Sequence, residues 1–563
     1  MEKFHRIVVG IDFGTTYTAV GWADTSNPNQ VEIIKNWPTA GQLVGAQAPS
    51  EIAYDEENPQ EYSWGYNISP RARKVKWFKL GLEVEQEVLR LPPGLTAADV
   101  VHDYLAGIYK HIMTTLYRRF DQGVMQMTTI DFVLTVPAIW SDGAKKKTED
   151  AAIRAGLGNE HNLQLLSEPE SAAIFTLRSL ENSNSYTQIR VHDRIVVCDA
   201  GGGTVDLISY DIQSIQPNLS VVECAAGTGD FCGSTFIDRE FEKLFTKRMG
   251  HHYGNVSLVN RQQTVKNFES TKTAFRDDPS QKTFYVNVPT VGTLEDAGVY
   301  GGNFEITREE MRTLFDPIVD QIIQLIGLQV QTISQGSSQQ QGAPVRVNAI
   351  LLVGGFGESE YLYQRVQSWA TQLGIQVIQP REAATAIVRG AVMKGLEPKE
   401  GPKTQIVRRA RRSYGVPVDH PFIEGKHHEQ DAMYQSQTGQ KLARNQISWF
   451  IRKGQVMADD QTFNHRFHRP FRTLTTWRDT LVCCDSDPPP PRMQPPVQKL
   501  CAITSDLTHI KKSGAGFKRK WRGLKPYYVA EYDIEMGVRN GAQLVFGLKY
   551  REQRFGVASV EFE

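Results

Sequence analysis

The chain has 563 residues, in which 63 lysines and arginines balance 63 aspartates and glutamates. That length is too great for one hydrophobic core and predicts several folding units of roughly 100 to 200 residues each, while the neutral balance excludes a global field that would draw the chain to nucleic acid or an anionic membrane. Six scattered cysteines without a C-x-x-C spacing exclude a disulfide framework and predict a reducing setting, cytoplasmic with the nucleus as the alternative.

The first predicted element is the β-branched strand of RIVVGIDF, reached without the long apolar stretch of a signal peptide. No apolar run in the chain approaches membrane-spanning length. The strand runs into Asp12-Phe13-Gly14-Thr15-Thr16 and a second strand, which reads as a hairpin. Helical periodicity from Ala97 to Phe120 follows, then an apolar strand from Phe132 to Val136 and a helix capped by Ser141 or Asp142. The hairpin device then recurs, as RIVVCD leads through Asp199-Ala200-Gly201-Gly202-Gly203-Thr204 into VDLISYDI. Two copies of one device predict two similar halves.

Further helical patterns span Phe236 to Arg248, Gln262 to Phe275 and Arg308 to Gln331. SQGSSQQQGAP reads as a loop before the strand Asn348 to Val353, which ends in Gly354-Gly355 ahead of a helix near Ser359. After Leu396 the character changes: KEGPK and the basic run Arg408 to Arg412 read as a linker. Beyond it Tyr528, Ala530, Tyr532, Ile534 and Met536 alternate with Val529, Glu531, Asp533 and Glu535, the period-two signature of a half-buried strand. Asn540-Gly541 is a hairpin turn signal, and the prolines of PPPPRMQPP, at Pro488 to Pro496, require a loop. The tail from Ser413 to Glu563 is therefore predicted to be mainly β.

Glycine turns at strand tips let backbone amides approach an anion closely, which makes Gly14 to Thr16 and Gly201 to Thr204 candidate phosphate cradles. Carboxylates at the same tips would repel phosphate unless a cation lies between them. Asp12 and Asp199 are therefore candidate magnesium anchors, acting mostly through water.

GIDFGTTYTAV, LTVPAIW, LLSEPESAAIF, DAGGGTVDL, GTGDFCGSTFID and LLVGGFGES, in this order over roughly the first 400 residues, resemble the signatures of the heat-shock-70 chaperone family within the actin-like ATPase superfamily. The resemblance implies an α/β, two-lobed actin-like (ribonuclease H-like) ATPase fold followed by a mainly β domain. Its lobes would be residues 1–188 and 189–400, joined by a basic linker, 401–412, to a β-rich substrate- or partner-binding domain, 413–563. It implies ATP or ADP with magnesium as cofactors, and protein clients and co-chaperones as partners. Membrane and nucleic acid are not expected.

The resemblance also implies residue roles. Lys76 would neutralise the γ-phosphate, Glu168 would orient water, and Thr204 and Asp206 would act with Asp199 around the transferred group. Gly229, Glu269, Lys272, Gly354, Gly355 and Phe356 would complete the nucleotide site. The pattern departs from the family in three places: Thr273 stands where a stacking arginine is expected, Phe356 replaces a small polar residue, and the linker is basic where the family's is acidic and leucine-rich. With no helical lid expected after the β-rich tail, the chain looks like the divergent lidless branch. The implied function is an ATP-hydrolysing, chaperone-like protein; the alternatives are a nucleotide-gated interaction module without turnover and a small-molecule kinase of the same superfamily.

Overall fold

The structure, a computed structural model, describes residues 5–39, 45–83, 91–181, 189–336, 346–398, 401, 403–458, 461–508, 517–539, 543–550, 553–555 and 561–562. The Asn540-Gly541 turn, residues 337–344 of the Gly/Ser/Gln stretch, and Lys399, Glu400 and Pro402 lie outside the described residues. The chain divides into two compact units, residues 1–405 and 406–563.

In the first unit, β1 (Arg6–Phe13) and β2 (Tyr17–Asp24) form an antiparallel hairpin. A small separate sheet carries β3 (Glu51–Tyr54) and β4 (Val75–Lys76). Helix α1 (Ala97–Arg119) starts with a reciprocal cap, in which the Thr96 hydroxyl accepts from the Asp99 amide at 3.2 Å and the Asp99 carboxylate accepts from the Thr96 amide at 3.1 Å. It buries Val101, Leu105, Ile108, Ile112 and Leu116, the three-to-four spacing of one helix face. Strand β5 (Thr129–Val136) lies parallel to β1, and β6 (Leu163–Ser167) lies parallel to β5. Between them α2 (Asp142–Arg154) is capped by Ser141, whose hydroxyl accepts from the Ala144 amide at 3.2 Å. Helix α3 (Glu168–Glu181) follows β6 directly.

The second half repeats this scheme. β7 (Arg194–Ala200) and β8 (Val205–Ser214) form a hairpin, and β9 (Ser220–Asp230) pairs antiparallel with β8. Helices α4 (Thr235–Met249), α5 (Leu258–Ala274) and α6 (Arg308–Gly336) come next. β10 (Ala349–Val353) runs parallel to β7, and after α7 (Glu360–Thr371), β11 (Gln376–Ile378) runs parallel to β10. Helix α8 (Ala386–Gly395) then packs against β1 and α3. Its approach depends on Gly390 and Gly10, because a Cβ at Gly390 would overlap the Ser171 carbonyl and one at Gly10 would meet Val388 and Val392.

The two sheets thus share one order: β2, β1, β5, β6 in the first and β8, β7, β10, β11 in the second. A parallel strand buried on both faces needs a continuous apolar run, and AILLV in β10 is buried at all five positions. The six cysteines are all free, and Cys198 and Cys232 are fully enclosed in the core of the second sheet.

The second unit is built from strands. One sheet contains Ser413–Pro421, Lys441–Ile451, Thr476–Cys484 and Gln498–Asp506; the other pairs Thr462–Phe471, Lys518–Arg522, Lys525–Arg539 and Gln543–Tyr550. The predicted alternation holds in part: Ala530, Tyr532, Ile534 and Met536 are buried in a core that also holds Leu481 and Ile503, but Tyr528 is only partly buried and Glu535, expected on the other face, is buried as well. The basic run read as linker is instead ordered chain. Strand Gln405–Arg409 pairs Arg408 with Met457, Arg409 donates to the Gly454 carbonyl at 2.9 Å, and Arg412 lies 2.9 Å from Asp485. A turn carbonyl and an acid just beyond a strand satisfy Arg409 and Arg412, partners that charge counting along the sequence cannot anticipate.

Candidate functional site

The two hairpins present the same backbone device. Gly14 donates to the Tyr17 carbonyl at 3.0 Å, and Gly201 donates to the Thr204 carbonyl at 3.0 Å. In each turn the carbonyl oxygens are taken up by neighbours. Ser50 donates from its hydroxyl to Gly14 O at 2.8 Å and from its amide to Thr16 O at 2.8 Å. At the other turn the amides of Gly233, Ser234 and Thr235, leading into α4, donate to Gly203 O at 3.2 Å, Gly201 O at 3.1 Å and Gly202 O at 2.9 Å. With these carbonyls and the Gly14 and Gly201 amides engaged, the amides of Thr15 and Thr16 in one turn and Gly202 to Thr204 in the other are what remain for an anion.

The tips face each other. A Cβ at Gly203 would lie 2.7 Å from the Thr15 hydroxyl, and one at Gly202 would overlap Thr16. Between and beneath the tips lies a cavity of about 550 Å³, counting its open mouth. Asp12, Gly14, Thr15, Thr16, Glu168, Asp199, Gly201, Gly202, Gly203, Thr204, Gly354 and Gly355 all line it. Gly354 has a left-handed φ of 85°, and the space a Cβ would occupy there is filled by the Asp199 carboxylate.

Negative charge is concentrated in and behind the cavity: Asp12, Glu168 and Asp199 line it, whereas Asp206, expected among them, is buried behind the lining. Asp12 accepts from the Thr135 hydroxyl at 3.0 Å, and Asp206 accepts from the Ile139 amide at 3.0 Å. Asp199 Oδ1 and Asp206 Oδ2 are buried with no hydrogen-bond partner among the described residues. Burial first, then the Glu168 charge, pushes Asp12 and Asp206 up to about 7. Asp199 is raised by burial and by the Glu168, Asp206 and Asp12 charges. Asp206 lies directly opposite Asp199 in the hairpin register, whereas Ala19 stands opposite Asp12. The residues present therefore fit a divalent cation with a polyphosphate: carboxylate oxygens lack partners, amides line the turns, and one buried ammonium faces an excess of acids.

That ammonium belongs to Lys79, whose Nζ lies 2.7 Å from Glu168 Oε1 with only 2 % of its side chain exposed. Lys76, the expected residue, is 46 % exposed, pairs with Glu51 at 2.8 Å and does not line the cavity. The chain between the two turns at Trp77, which adopts a left-handed φ of 59° and lies under the Arg239 guanidinium. Lys76 therefore stays on edge strand β4 while Lys79 enters the apolar run of Phe78, Leu80 and Leu82. A lysine embedded among such neighbours is the signal in the sequence that could have singled it out.

Other expected residues lie outside the cavity lining. Lys272 is locked 2.8 Å from both Asp238 and Glu269, so Glu269 and Lys272 satisfy each other. Gly229 sits in β9 opposite Asp206, where a Cβ would collide with the Val205 carbonyl and Ile139. Phe356 is buried in the core beside Phe315, with ring centroids 6.5 Å apart, which makes it a packing residue in this structure. Thr273 donates to the Glu269 carbonyl at 2.7 Å on the exposed face of α5. A residue before proline is biased away from helix, yet Glu168, which precedes Pro169, is the first residue of α3; proline is tolerated in a first turn, where its missing N–H costs nothing.

Comparison with known proteins settles the family. The profile described as "Hsp70 protein" matches residues 108–406, more than half of the chain. The chain belongs to the Hsp70 family. Its β-rich second unit matches, over residues 408–552, a profile described as a domain of unknown function (DUF8568). Among curated Hsp70 relatives, human heat shock 70 kDa protein 12A is 27 % identical over 518 residues, covering 76 % of this chain and 74 % of that protein. Human heat shock 70 kDa protein 12B is 24 % identical over 597 residues, covering 89 % and 84 %. Chaperone protein DnaK of Mycoplasma mycoides is 27 % identical over 393 residues, covering 69 % of this chain and 59 % of that protein. Membership in the Hsp70 family carries the actin-like α/β fold, consistent with the mixed sheets of the first unit.

Proposed function

We propose that this chain binds ATP with magnesium between its two glycine hairpins, hydrolyses it slowly, and uses the nucleotide state to bias a partner site in its β-rich unit. The observation that carries this reading is the opposed pair of amide-lined tips over buried carboxylates whose oxygens lack partners. In this reading the halves 1–188 and 189–400 act as two actin-like lobes, and residues 413–563 bind clients. A bound magnesium would neutralise charge on the phosphates and hold them in register with the hairpins.

The residues divide the work by position. Asp12 and Asp199 would hold the ion through its water shell, and the amides of Thr15, Thr16 and Gly202 to Thr204 would bind phosphate oxygens, those of Gly14 and Gly201 being spent on closing the two turns. Lys79 takes the role first expected of Lys76, offsetting charge on the terminal phosphate. Glu168, positioned by Lys79, and Asp206, opposite Asp199, would orient the attacking water and accept its proton. Gly354 and Gly355 let the backbone approach the nucleotide closely. The chemistry needs no covalent nucleophile.

Calorimetric titration with ATP and magnesium, followed by single-turnover phosphate release, tests the reading. Wild-type protein should bind one nucleotide and release phosphate, while Asp199→Asn should bind without the magnesium dependence. Equal binding and magnesium response in Asp199→Asn would overturn the assignment. Binding with no phosphate release in wild type would leave an interaction module that does not turn ATP over.

A further inference from the structure

The turns at 250–255 and 295–297 stand outside the residues that line the cavity and carry a cluster the proposed reaction does not use. His251, His252 and Asp296 each offer one ligating atom, and the three atoms lie within 4.8 Å of one another. His252 Nε2 is 2.9 Å from Asp296 Oδ2, and the two imidazole centroids are 3.8 Å apart.

The backbone that carries these groups is positioned by contacts independent of them. Gly250, with a φ of 46°, ends α4 and turns the chain so that both imidazoles follow at once. Arg248, the next-to-last residue of that helix, fills the space a Cβ would take at Gly298, two residues beyond Asp296. It donates to the Glu305 carbonyl at 2.7 Å, stacks 4.4 Å from the Phe304 centroid and lies 3.3 Å from Glu310, which offsets its charge.

We propose that His251, His252 and Asp296 form a binding site for a zinc-class divalent ion. A tetrahedral shell with bonds of about 2.0–2.1 Å places its ligand atoms roughly 3.4 Å apart, and the three atoms here, all within 4.8 Å of one another, stand near that spacing. Two imidazoles and a carboxylate are a donor set for borderline metals, whereas magnesium and calcium take all-oxygen shells. His251 and Asp296 are exposed, so the ion enters directly from solvent and water completes the shell. A bound ion would staple the end of α4 to the turn before strand Asn303–Thr307.

The test uses the full-length protein stripped with a chelator, then titrated separately with zinc chloride and cobalt chloride. We expect one zinc per chain, a higher melting temperature with zinc, and cobalt ligand-field bands without thiolate charge transfer. His252→Ala and Asp296→Ala should each weaken zinc at least ~10-fold, the smallest loss typical even of outer-shell changes. Both variants should melt like wild type in chelator, since each removes a side chain from a partly exposed turn. Absence of zinc binding, zinc affinity unchanged in both variants, or a cobalt spectrum dominated by thiolate bands from the free cysteines would each overturn the site.

Discussion

Lys79 and Glu168 form a buried pair at 2.7 Å, and each holds the other where the terminal phosphate would lie. Lys79→Ala should lower single-turnover phosphate release by ~10²-fold, the scale of losing one stabiliser of developing charge. Lys76→Ala should leave it within about twofold, since that residue is exposed and paired to Glu51. Removing the ammonium also leaves Glu168 buried without its cation, at a cost on the order of 3 kcal/mol. The Lys79→Ala/Glu168→Gln double variant should regain melting temperature but not turnover, a combination that separates structural from chemical roles.

Asp206 supplies a pH dependence whose sign follows from its raised pKa. Its carboxyl moves from the ordinary 3.8 up to about 7 in the folded chain, because burial disfavours the charged form. Folding is therefore helped by this group below its unfolded pKa, and that help is lost as pH rises toward the folded value. Ligand-free wild type should lose stability between about pH 4 and 7 relative to Asp206→Asn, as read from denaturant midpoints. Parallel midpoints for the two proteins would refute the assignment.

At the scale of elements, the hairpins meet through Gly202 and Gly203, and Thr16 and Thr15 occupy the space their side chains would need. Gly202→Val should push the tips apart and lower turnover by ~10²-fold, since misplacement on the order of an ångström carries that cost. Thr16→Ala combined with Gly202→Ala should recover much of what Gly202→Ala alone loses, because the predicted clash is with the Thr16 side chain itself. No recovery would mean that the tips do not meet as described.

These elements also mark what sequence reasoning reaches. Asp12 to Thr16 and Asp199 to Thr204 were legible because local turn chemistry and its repetition both lie along the chain. Lys79 is harder to separate from Lys74 and Lys76, which share its charge; its apolar neighbours are the one local signal, and the left-handed turn at Trp77 decides which lysine points inward. Phe356 shows the same limit, since only packing against Phe315 distinguishes a core ring from a base contact. The Arg408 to Arg412 run was misread because the strand and acid that satisfy it come from far along the chain.

At the scale of the whole molecule, the chain passes from one compact unit to the other between Gln405 and Ile406. If nucleotide binding in the first biases the second, limited proteolysis near that junction should slow or quicken when ATP and magnesium are added. Identical cleavage with and without nucleotide would confine the nucleotide's effect to residues 1–405. Among the described residues no helix is long and apolar enough to cross a membrane.

Cys198 directly precedes Asp199, and Cys232 lies just beyond β9; both are fully enclosed, and burial pushes the Cys232 thiol up to about 12. A reagent reaches either sulfur only when the wall beneath the glycine tips parts. Their alkylation rate is thus an intrinsic gauge of how often that wall breathes, readable in the unmodified protein without attaching a dye.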